Sequence, residues 1–379
     1  MGLLGDASAM ELLDKAGLEV MHYARIRPYK VIASKSARPK PSRKLLDTIN
    51  HTLNSHLQNS FVEVGPQKTK ISLYDFAVYV ETLHLCWRNI DHNHPSVCDR
   101  FKACFPVFDE PFVETSAAVV ERIQNILRFL AWINSDLTRY IFRFYPEEKK
   151  ESKSVFDTSV YFNNYVFDNR KPATETLKVD GHNRIIYGLC VGREEGFIPV
   201  TITPEKLGMQ GVLQKFPLNV FIQQHVLERI EIRLGKFFRS YHFMFIITAI
   251  LTEEPVPADT KNSFLFPVTW SRVKLGYLKA DVIGDKLLIR TFLFLTNNGT
   301  PEGKKLGELV GLQKADKKYL IIDKLSTFVA SDIKNSKKLK ALFCEAGCGE
   351  LFSLDKSLLD EHDRRNVSCA EFLTKYLGL

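Results

Sequence analysis

A predicted β-hairpin between residues 272 and 296 constrains the fold of this chain more than any other sequence feature. Residues 272–283 and 286–296 have the composition and pattern that are typical of strands. Gly284-Asp285, the dipeptide between them, belongs to the type that two-residue hairpin loops prefer. We expect further strands around it, which together predict a mainly antiparallel sheet: residues 185–191, 198–202, 244–251 and 264–270.

The first half of the chain has a helical pattern instead. Residues 42–145 are predicted to be helical. The period is clearest at 115–145, where apolar side chains recur at steps of three and four: Val119, Val120, Ile123, Ile126, Leu127, Leu130 and Ile133, extended by Trp132, Phe142 and Phe144. Such a stripe indicates helix packing in a core. The charged stretch at 146–154 is the preferred domain boundary.

The sequence therefore predicts an α+β protein, in which a helical N-terminal domain is followed by a mainly antiparallel sheet domain with a packed helix. Thr300 followed by Pro301 predicts that a helix begins directly after the hairpin. The expected domains are an N-terminal helix and basic arm at 1–45, with its helix at 8–22, a helical domain at 46–150, an α+β domain at 151–312 and a basic helical region at 313–379.

The charge of the chain favours a polyanionic partner. Lys and Arg number 52 against 44 Asp and Glu, which gives a net charge of +8. Residues 25–44 hold eight cations and no acidic residue: Arg25, Arg27, Lys30, Lys35, Arg38, Lys40, Arg43 and Lys44. Prolines prevent a continuous helix there. The segment is either a solvated, partly flexible linker or an arm that follows a nucleic-acid backbone and gains affinity by releasing counterions.

Cysteine content and apolar runs bear on where the protein is located. Seven cysteines in 379 residues are too few for a disulfide-stabilised scaffold. Residues 1–20 are interrupted by charge and lack the apolar core of a signal peptide. The most apolar stretch, 243–251, suits a buried strand and is too short for a transmembrane helix of about 20 residues. We therefore expect a cytoplasmic protein with no membrane partner.

Residues 220–238 are predicted to form a helix with a cationic stripe. His225, Arg229 and Arg233 are spaced by four residues and share one side, while Leu227, Ile230 and Leu234 lie on the opposite side. In one interpretation Glu228 and Glu231 offset the repulsion in an ordinary surface helix. In the other, a bound phosphate neutralises the stripe, and His225 acts as general acid or base beside two guanidinium groups.

The string His225-Val-Leu-Glu-Arg229-Ile-Glu-Ile-Arg233 resembles the His-x-x-x-Arg-x-x-x-Arg helix of barnase–RelE-like bacterial toxin ribonucleases. In that family the helix packs on a small, twisted antiparallel sheet, and later strands place polar residues opposite the histidine. Residues 160–310 show segments in the same order: Lys274-Leu-Gly-Tyr, Ile289-Arg290-Thr291-Phe292 and Thr300-Pro301-Glu302-Gly303.

The resemblance implies an endoribonuclease that needs no metal ion or other cofactor. A base removes the proton of a ribose 2′-hydroxyl group, which attacks the adjacent phosphate. His225 is then the acid or base, and Arg229 and Arg233 hold phosphate. Arg290 and Thr291 are strand neighbours that are expected to face opposite sides, so only one points into the site, and Thr291 is preferred. The implied partners are RNA or another nucleic acid and an inhibitory or activating protein, as in a bacterial toxin or phage-defence (antiviral) system.

Two groups of cysteines and histidines contain enough ligands for zinc. The first has no pair at zinc-finger spacing, which favours buried thiols beside a polar loop: His84, Cys86, His92, His94, Cys98 and Cys104. The second has four ligands at a spacing unlike standard zinc knuckles: Cys344, Cys348, His362 and Cys369. We predict no metal site, and the sequence holds no phosphate-binding loop of the nucleotide hydrolases.

A ribonuclease is thus the leading hypothesis from the sequence. The alternatives are a non-catalytic nucleic-acid-binding scaffold and an interaction protein whose helical half binds a partner. RNA cleavage in EDTA that depends on His225 separates the first from the second. Salt-sensitive RNA binding separates the second from the third.

Overall fold

The chain forms two units, each built from helices and strands. The computed structural model describes residues 5–12, 30–65, 67–84, 87, 95–108, 111–147, 164–209, 216–361 and 369–378. Unit 1 comprises Met1–Ala131, Phe142–Arg170 and Gly192–Gly196, and unit 2 comprises Trp132–Ile141, Lys171–Val191 and Phe197–Leu379. A helical N-terminal region is followed by a mainly antiparallel sheet, which confirms the predicted α+β class.

From residue 30 to residue 170 the main elements are β1 (Lys30–Ala33), α1 (Arg43–Asn59), β2 (Phe61–Val64), β3 (Thr69–Ser72), α2 (Pro95–Ala103), α3 (Pro111–Asn134), β4 (Ile141–Pro146) and β5 (Asn164–Arg170). A one-turn helix, Leu73–Asp75, and a π-helix, Phe76–Val80, follow β3. Strand β1 pairs with β5 in parallel in a sheet of order β1-β5-β4, and β2 pairs with β3. Ser42 caps α1 by accepting from the backbone N–H of Leu45 at 3.2 Å.

The predicted helical region at 42–145 is wrong in two places, because it contains β2 with β3 and because α3 ends at Asn134. Asp136 ends the helical pattern by accepting from the backbone N–H of Thr138 at 2.9 Å, a local bond that competes with helix. Phe142 and Phe144 then lie in β4, where Phe142 packs on Phe167 with ring centroids 4.8 Å apart. The predicted helix at 8–22 begins as a 3₁₀ helix, Ala7–Leu12, and its remainder lies outside the described residues.

Beyond residue 170 the strands are β6 (Thr174–Val179), β7 (His182–Gly188), β8 (Cys190–Arg193), β9 (Gly196–Pro199), β10 (Thr201–Ile202), β11 (Leu218–Gln223), β12 (Val256–Pro257), β13 (Ser263–Trp270), β14 (Val273–Ile283) and β15 (Lys286–Phe294). The main sheet has the order β12-β13-β14-β15-β11-β7-β6, and β10 pairs with β11. Its strands are antiparallel to their neighbours except at β11 and β15, which run parallel.

The predicted hairpin of β14 and β15 is confirmed. Its two strands pair in antiparallel register up to Ile283 and Lys286, and Gly284 in the turn adopts a φ of 61° that favours glycine. The predicted helix start after it is also confirmed. Thr300 accepts from the backbone N–H of Gly303 at 3.0 Å, with Pro301 at the first helical position.

The remaining helices are α4 (Gln224–Leu234), α5 (His242–Thr252), α6 (Pro301–Val310), α7 (Lys314–Tyr319), α8 (Leu325–Ala330), α9 (Lys337–Glu345) and α10 (Ala370–Tyr376). Helix α4 packs on β15, and α5 packs on β13. Phe294 of β15 contacts Phe328 of α8 with ring centroids 5.8 Å apart, so residues after 313 share a core with the sheet.

The strand predicted at 244–251 is wrong, because these residues form α5. Its buried side chains occupy more than one side of the helix: Phe243, Phe245, Ile246, Ile247, Ala249 and Ile250. A helix that is apolar all round has no amphipathic period, so a short apolar run does not separate it from a buried strand. Among the residues described above, no helix combines the length and hydropathy that are needed to cross a membrane.

Candidate functional site

Helix α4 begins at the end of β11, where the candidate site lies. The helix predicted at 220–238 is wrong at both ends, because residues 220–223 belong to β11 and α4 ends at Leu234. Gly235, with a φ of 101°, follows the last helical residue in a conformation that glycine adopts readily. The predicted motif from His225 to Arg233 therefore lies wholly within the helix, as expected.

One side of α4 is buried against the sheet, which decides where the polar side chains point. Val226, Ile230 and Leu234 are buried at steps of four residues. His225, at the first turn, is exposed, and Arg229 is partly exposed. The N-terminal turn of α4 therefore presents polar groups to solvent while its apolar side anchors the helix.

His225 and Thr291 line the same pocket, whose volume is about 770 Å³. We call it the polar pocket; its lining includes Arg184 and Tyr187 of β7, His225 and Glu228 of α4, Lys279 of β14, and Arg290 and Thr291 of β15. The parallel pairing of β11 with β15 and the packing of α4 on β15 bring these segments together. The pocket lies within unit 2.

A β-bulge shapes the floor of the polar pocket. Lys279 pairs with Thr291, but the next residue, Ala280, pairs with Ile289, so that Arg290 is the extra residue of β15. The expectation that only one of Arg290 and Thr291 points into the site is wrong, since both line the pocket. A bulge interrupts the strict alternation of side chains, and this is the physical reason.

The cations of the polar pocket differ in whether a carboxylate neutralises them. Arg290 bonds to Asp281 at 2.7 Å and also to Asp180. Burial tends to lower the pKa of Arg290, but these two carboxylates more than offset it, so its pKa is raised. Arg184 and Lys279, in contrast, form no ion pair within the described part of the chain. They remain available to an anionic ligand.

The imidazole of His225 is held by its neighbours on α4. Its Nε2 accepts from Nε of Arg229 at 3.0 Å, and its Nδ1 lies 3.7 Å from Oε2 of Glu228. A ring nitrogen that accepts a hydrogen bond carries no proton, so this arrangement places the proton on Nδ1, facing the carboxylate. The side chain is 47% exposed, which leaves it accessible to a ligand.

Arg233, the third residue of the predicted stripe, does not line the polar pocket. Its guanidinium group pairs with the Asp323 carboxylate, and the two side chains are 14% and 8% exposed. Burial, with a smaller contribution from Arg229, lowers the pKa of Arg233. It borders a separate cavity of about 350 Å³ near α7. The structure thus brings His225 and Thr291 into the polar pocket, bonds Arg229 to His225 without making it part of the lining, and places Arg233 elsewhere.

The predicted basic arm is partly described. Arg25 and Arg27 lie outside the described residues, whereas Lys30, Lys35, Arg38, Lys40, Arg43 and Lys44 are all exposed. The segment is tied to β5, because the backbone N–H of Arg38 donates to Oδ1 of Asn169 at 3.0 Å and Asn169 donates to the Pro39 carbonyl at 2.8 Å. Ala37 is fully buried. Residues 30–44 are therefore an ordered, cationic edge of unit 1.

The structure adds no support for zinc at either group of cysteines and histidines. Within the described residues, no group of three metal-ligating side chains converges. His84 packs against Phe112 with ring centroids 4.3 Å apart, and burial raises the pKa of the Cys348 thiol to about 12. Five members of the two groups have side chains that the structure does not describe: Cys86, His92, His94, Cys98 and His362.

Arg184, Tyr187 and Lys279 were not identified from the sequence. Lys279 could have been found from the hairpin, because counting back from the Gly284-Asp285 turn places it opposite the 290–291 region of β15. For Arg184 and Tyr187 no local signal exists. Their place in the pocket depends on β7 pairing with β11, a contact between residues more than 30 positions apart in the chain.

Comparison of the chain with protein-family models, with curated proteins and with solved structures gives no match. The side chains of the polar pocket therefore carry the functional proposal.

Proposed function

We propose that the protein is a ribonuclease that cleaves RNA without a metal ion at the polar pocket. The observation that supports this is the convergence of an exposed histidine, a hydroxyl group and two cations free of ion pairs in one pocket: His225, Thr291, Arg184 and Lys279. Acid–base and phosphate-binding groups are the types that transesterification of RNA requires. At about 770 Å³ the pocket has the size of a ligand site.

In this proposal His225 is the general base. Its Nε2 lone pair is occupied by Arg229 in the free protein, and an entering phosphate offers that guanidinium group a stronger, charge-assisted partner. Nε2 then takes the proton of the ribose 2′-hydroxyl group. The 2′-oxygen bonds to phosphorus as the bond to the 5′-oxygen breaks, and the 5′-oxygen takes a proton from a water molecule. The hydroxide left behind recovers the proton held by the imidazole of His225. Glu228, 3.7 Å from Nδ1, orients and stabilises the charged imidazole.

The cations and the hydroxyl group act on the phosphate. Lys279 and Arg184 stabilise the negative charge that develops on the phosphoryl oxygens, and Thr291, opposite Lys279 in the sheet, donates a hydrogen bond. Arg233 has no role in this mechanism, because its guanidinium group is already ion-paired with the Asp323 carboxylate. RNA is the proposed partner. A cytoplasmic location is proposed from the sparse cysteines, whereas membership of a bacterial toxin or antiviral defence system rests on the helix motif alone.

The test is cleavage of a fluorescent RNA oligonucleotide in EDTA by the full chain. We expect His225→Ala to reduce the cleavage rate by about 10²- to 10⁴-fold. His51→Ala is the matched control, since His51 is also an exposed histidine on a helix, and it should leave the rate within twofold. Wild-type protein that does not cleave RNA, or a His225→Ala variant as active as wild type, would contradict the proposal.

A non-catalytic RNA-binding protein is the second candidate, and the six exposed cations of residues 30–44 favour it. It predicts binding without cleavage, with log K falling against log[salt] with a slope of about −0.7 per phosphate contact on single strands. Lys35→Gln with Arg38→Gln should then reduce the magnitude of that slope by roughly 1.4. Binding that does not depend on salt would contradict this alternative.

A further inference from the structure

Three aromatic side chains lie together on the surface formed by α7 and α10. Tyr319 is 68% exposed, Phe372 49% and Tyr376 46%. Their ring centroids are 6.1 to 6.2 Å apart in each pair. We call these three residues the aromatic patch. Exposed apolar side chains that are scattered singly are ordinary, whereas a contiguous group of them marks an interaction surface.

The aromatic patch is fixed in place by contacts beneath and beside it. Leu373 is fully buried and anchors α10 from its other side. The Tyr376 hydroxyl group donates to Oδ1 of Asp316 at 3.0 Å, which ties α10 to α7. The backbone N–H groups of Cys369 and Ala370 donate to Asp332 at 2.8 Å, which holds the start of α10. The helices that carry the rings are therefore held in place, so binding on the aromatic patch loses little backbone entropy.

The orientation of the rings leaves their faces accessible. The planes of Tyr319 and Phe372 meet at 61°, and Tyr376 makes angles of 42° and 43° with the other two. Rings inclined in this way do not cover each other face to face. Each can therefore present part of its face to a flat ligand, such as a nucleobase.

Exposed lysines occur on the same two helices as the aromatic patch. Lys314 and Lys318 of α7 and Lys375 of α10 are exposed, and none of them forms an ion pair within the described part of the chain. Lys314 and Lys318 also line the cavity of about 350 Å³, into which Arg233 and Asn297 extend. Lysine is depleted in the centre of protein–protein interfaces, whereas exposed aromatic rings beside cations are typical of surfaces that bind single-stranded nucleic acid.

We propose that the aromatic patch and the adjacent lysines, Lys314 and Lys318, bind single-stranded RNA, with unpaired bases stacked on Tyr319 and Phe372 and phosphates held by the lysines. That the strand is RNA rests on the proposed function. That it is single-stranded follows from the rings, because only an unpaired base exposes its face to a protein side chain. The surface would hold substrate outside the polar pocket and favour unstructured RNA as substrate.

The binding test uses the full chain carrying His225→Ala, so that the RNA stays intact, and measures fluorescence anisotropy of a labelled 12-nucleotide single strand and of a duplex of equal length. Tyr319→Ala and Phe372→Ala are each expected to weaken single-strand binding by about 5- to 100-fold, and Tyr319→Phe is expected to bind like the parent. Lys318→Gln is expected to reduce the salt slope by about 0.7.

Cleavage of a dinucleotide by chains with an intact His225 separates this inference from the proposed function. A dinucleotide fills the polar pocket alone, so Tyr319→Ala with Phe372→Ala should cleave it at the parent rate and cleave a long single strand more slowly. Lack of dinucleotide cleavage with normal single-strand binding overturns the ribonuclease and keeps the RNA surface. Unchanged single-strand affinity in the double variant overturns the proposal that the aromatic patch binds RNA. Sedimentation that shows self-association of the wild type and its loss in the double variant also overturns it, because the patch would then be a contact between copies of the chain.

Discussion

The two ends of α4 carry similar cationic side chains in opposite environments. Towards the N-terminus, Arg229 donates at 3.0 Å to His225, which lies in the first turn beside an open pocket. At the C-terminal turn, Arg233 pairs with Asp323, and the side chains are 14% and 8% exposed. Arg229 can leave His225 and bond to a ligand instead, whereas Arg233 and Asp323 already neutralise each other within the fold.

This difference shows what residue spacing determines. Steps of four residues place His225, Arg229 and Arg233 on one side of a helix, and the structure agrees with that. What faces each of them is decided by other segments. The 320–324 segment supplies Asp323 at one end, whereas the β6–β7 hairpin and β15 leave an opening at the other. Only the open end suits a substrate.

The largest expected effect on stability is the loss of the buried ion pair. Arg233→Met leaves the buried Asp323 carboxylate without its partner and should lower the free energy of unfolding by about 3–5 kcal/mol. Arg229→Met, the same change one turn earlier, should lower it by less than about 1 kcal/mol. Urea denaturation followed by tryptophan fluorescence measures both, and similar losses in the two variants would contradict the contrast.

The second prediction concerns Lys317, which borders the same cavity as Arg233 and is 2% exposed. Burial lowers its pKa from 10.5 to about 8. Below pH 8 the lysine is charged in both states, and the folded protein bears the full penalty of the buried charge. Between about pH 8 and 10.5 the unfolded chain binds more protons, so the contribution of Lys317 to stability rises with pH, by roughly 3 kcal/mol in total.

The difference in unfolding free energy between wild type and Lys317→Met measures this contribution. The difference is expected to move in favour of wild type as pH increases from 8 to 10.5. The comparison must be made as a difference, because burial raises the pKa of Cys348 to about 12 and that thiol destabilises the fold above pH 9 in both proteins. A constant difference across this range would show that Lys317 is not held in a charge-disfavouring site.

Local sequence signals predicted the elements whose cause is local. The Gly284-Asp285 turn and the Thr300-Pro301 cap depend on a few adjacent residues, and both are confirmed. The prediction of a strand at 244–251 is wrong because the apolar run fits a buried strand or a buried helix equally well, and packing on β13 decides between them.

The candidate site was less predictable because it depends on register. A regular hairpin would place Lys279 opposite Arg290, which are like charges in direct cross-strand contact. The bulge at Arg290 moves Thr291 opposite Lys279 and lets Arg290 reach Asp281 and Asp180. The relief of this repulsion is a physical reason for the bulge. The sequence indicates this bulge only once the turn at Gly284-Asp285 sets the register, because the like charges of Lys279 and Arg290 then face each other.

Arg290 offers an intermediate case between the two ends of α4, since it lines the pocket and is also ion-paired. Arg290→Met should lower the free energy of unfolding by about 1–2 kcal/mol, because Asp281, 16% exposed, loses its charged donor but keeps its bond from Ser263. Asp180→Asn is the matched control: Asp180 is 72% exposed, so the loss should stay within about 0.5 kcal/mol. Thermal and urea unfolding measure the loss of unfolding free energy in both variants. Equal losses would contradict the prediction that Arg290 matters more than Asp180.

The smallest expected change in stability lies at the open end of α4. Arg229→Gln and Glu228→Gln should each alter the free energy of unfolding by no more than about 0.5 kcal/mol, because their bonds to His225 are made at the surface. Their effect should appear in catalysis instead. Arg229→Gln removes a cation that turns from Nε2 to the phosphate when RNA binds, and should lower kcat/KM by about tenfold. A faster Arg229→Gln enzyme would mean that Arg229 only blocks the base, and a loss of stability above 1 kcal/mol would mean that both ends of α4 serve the fold.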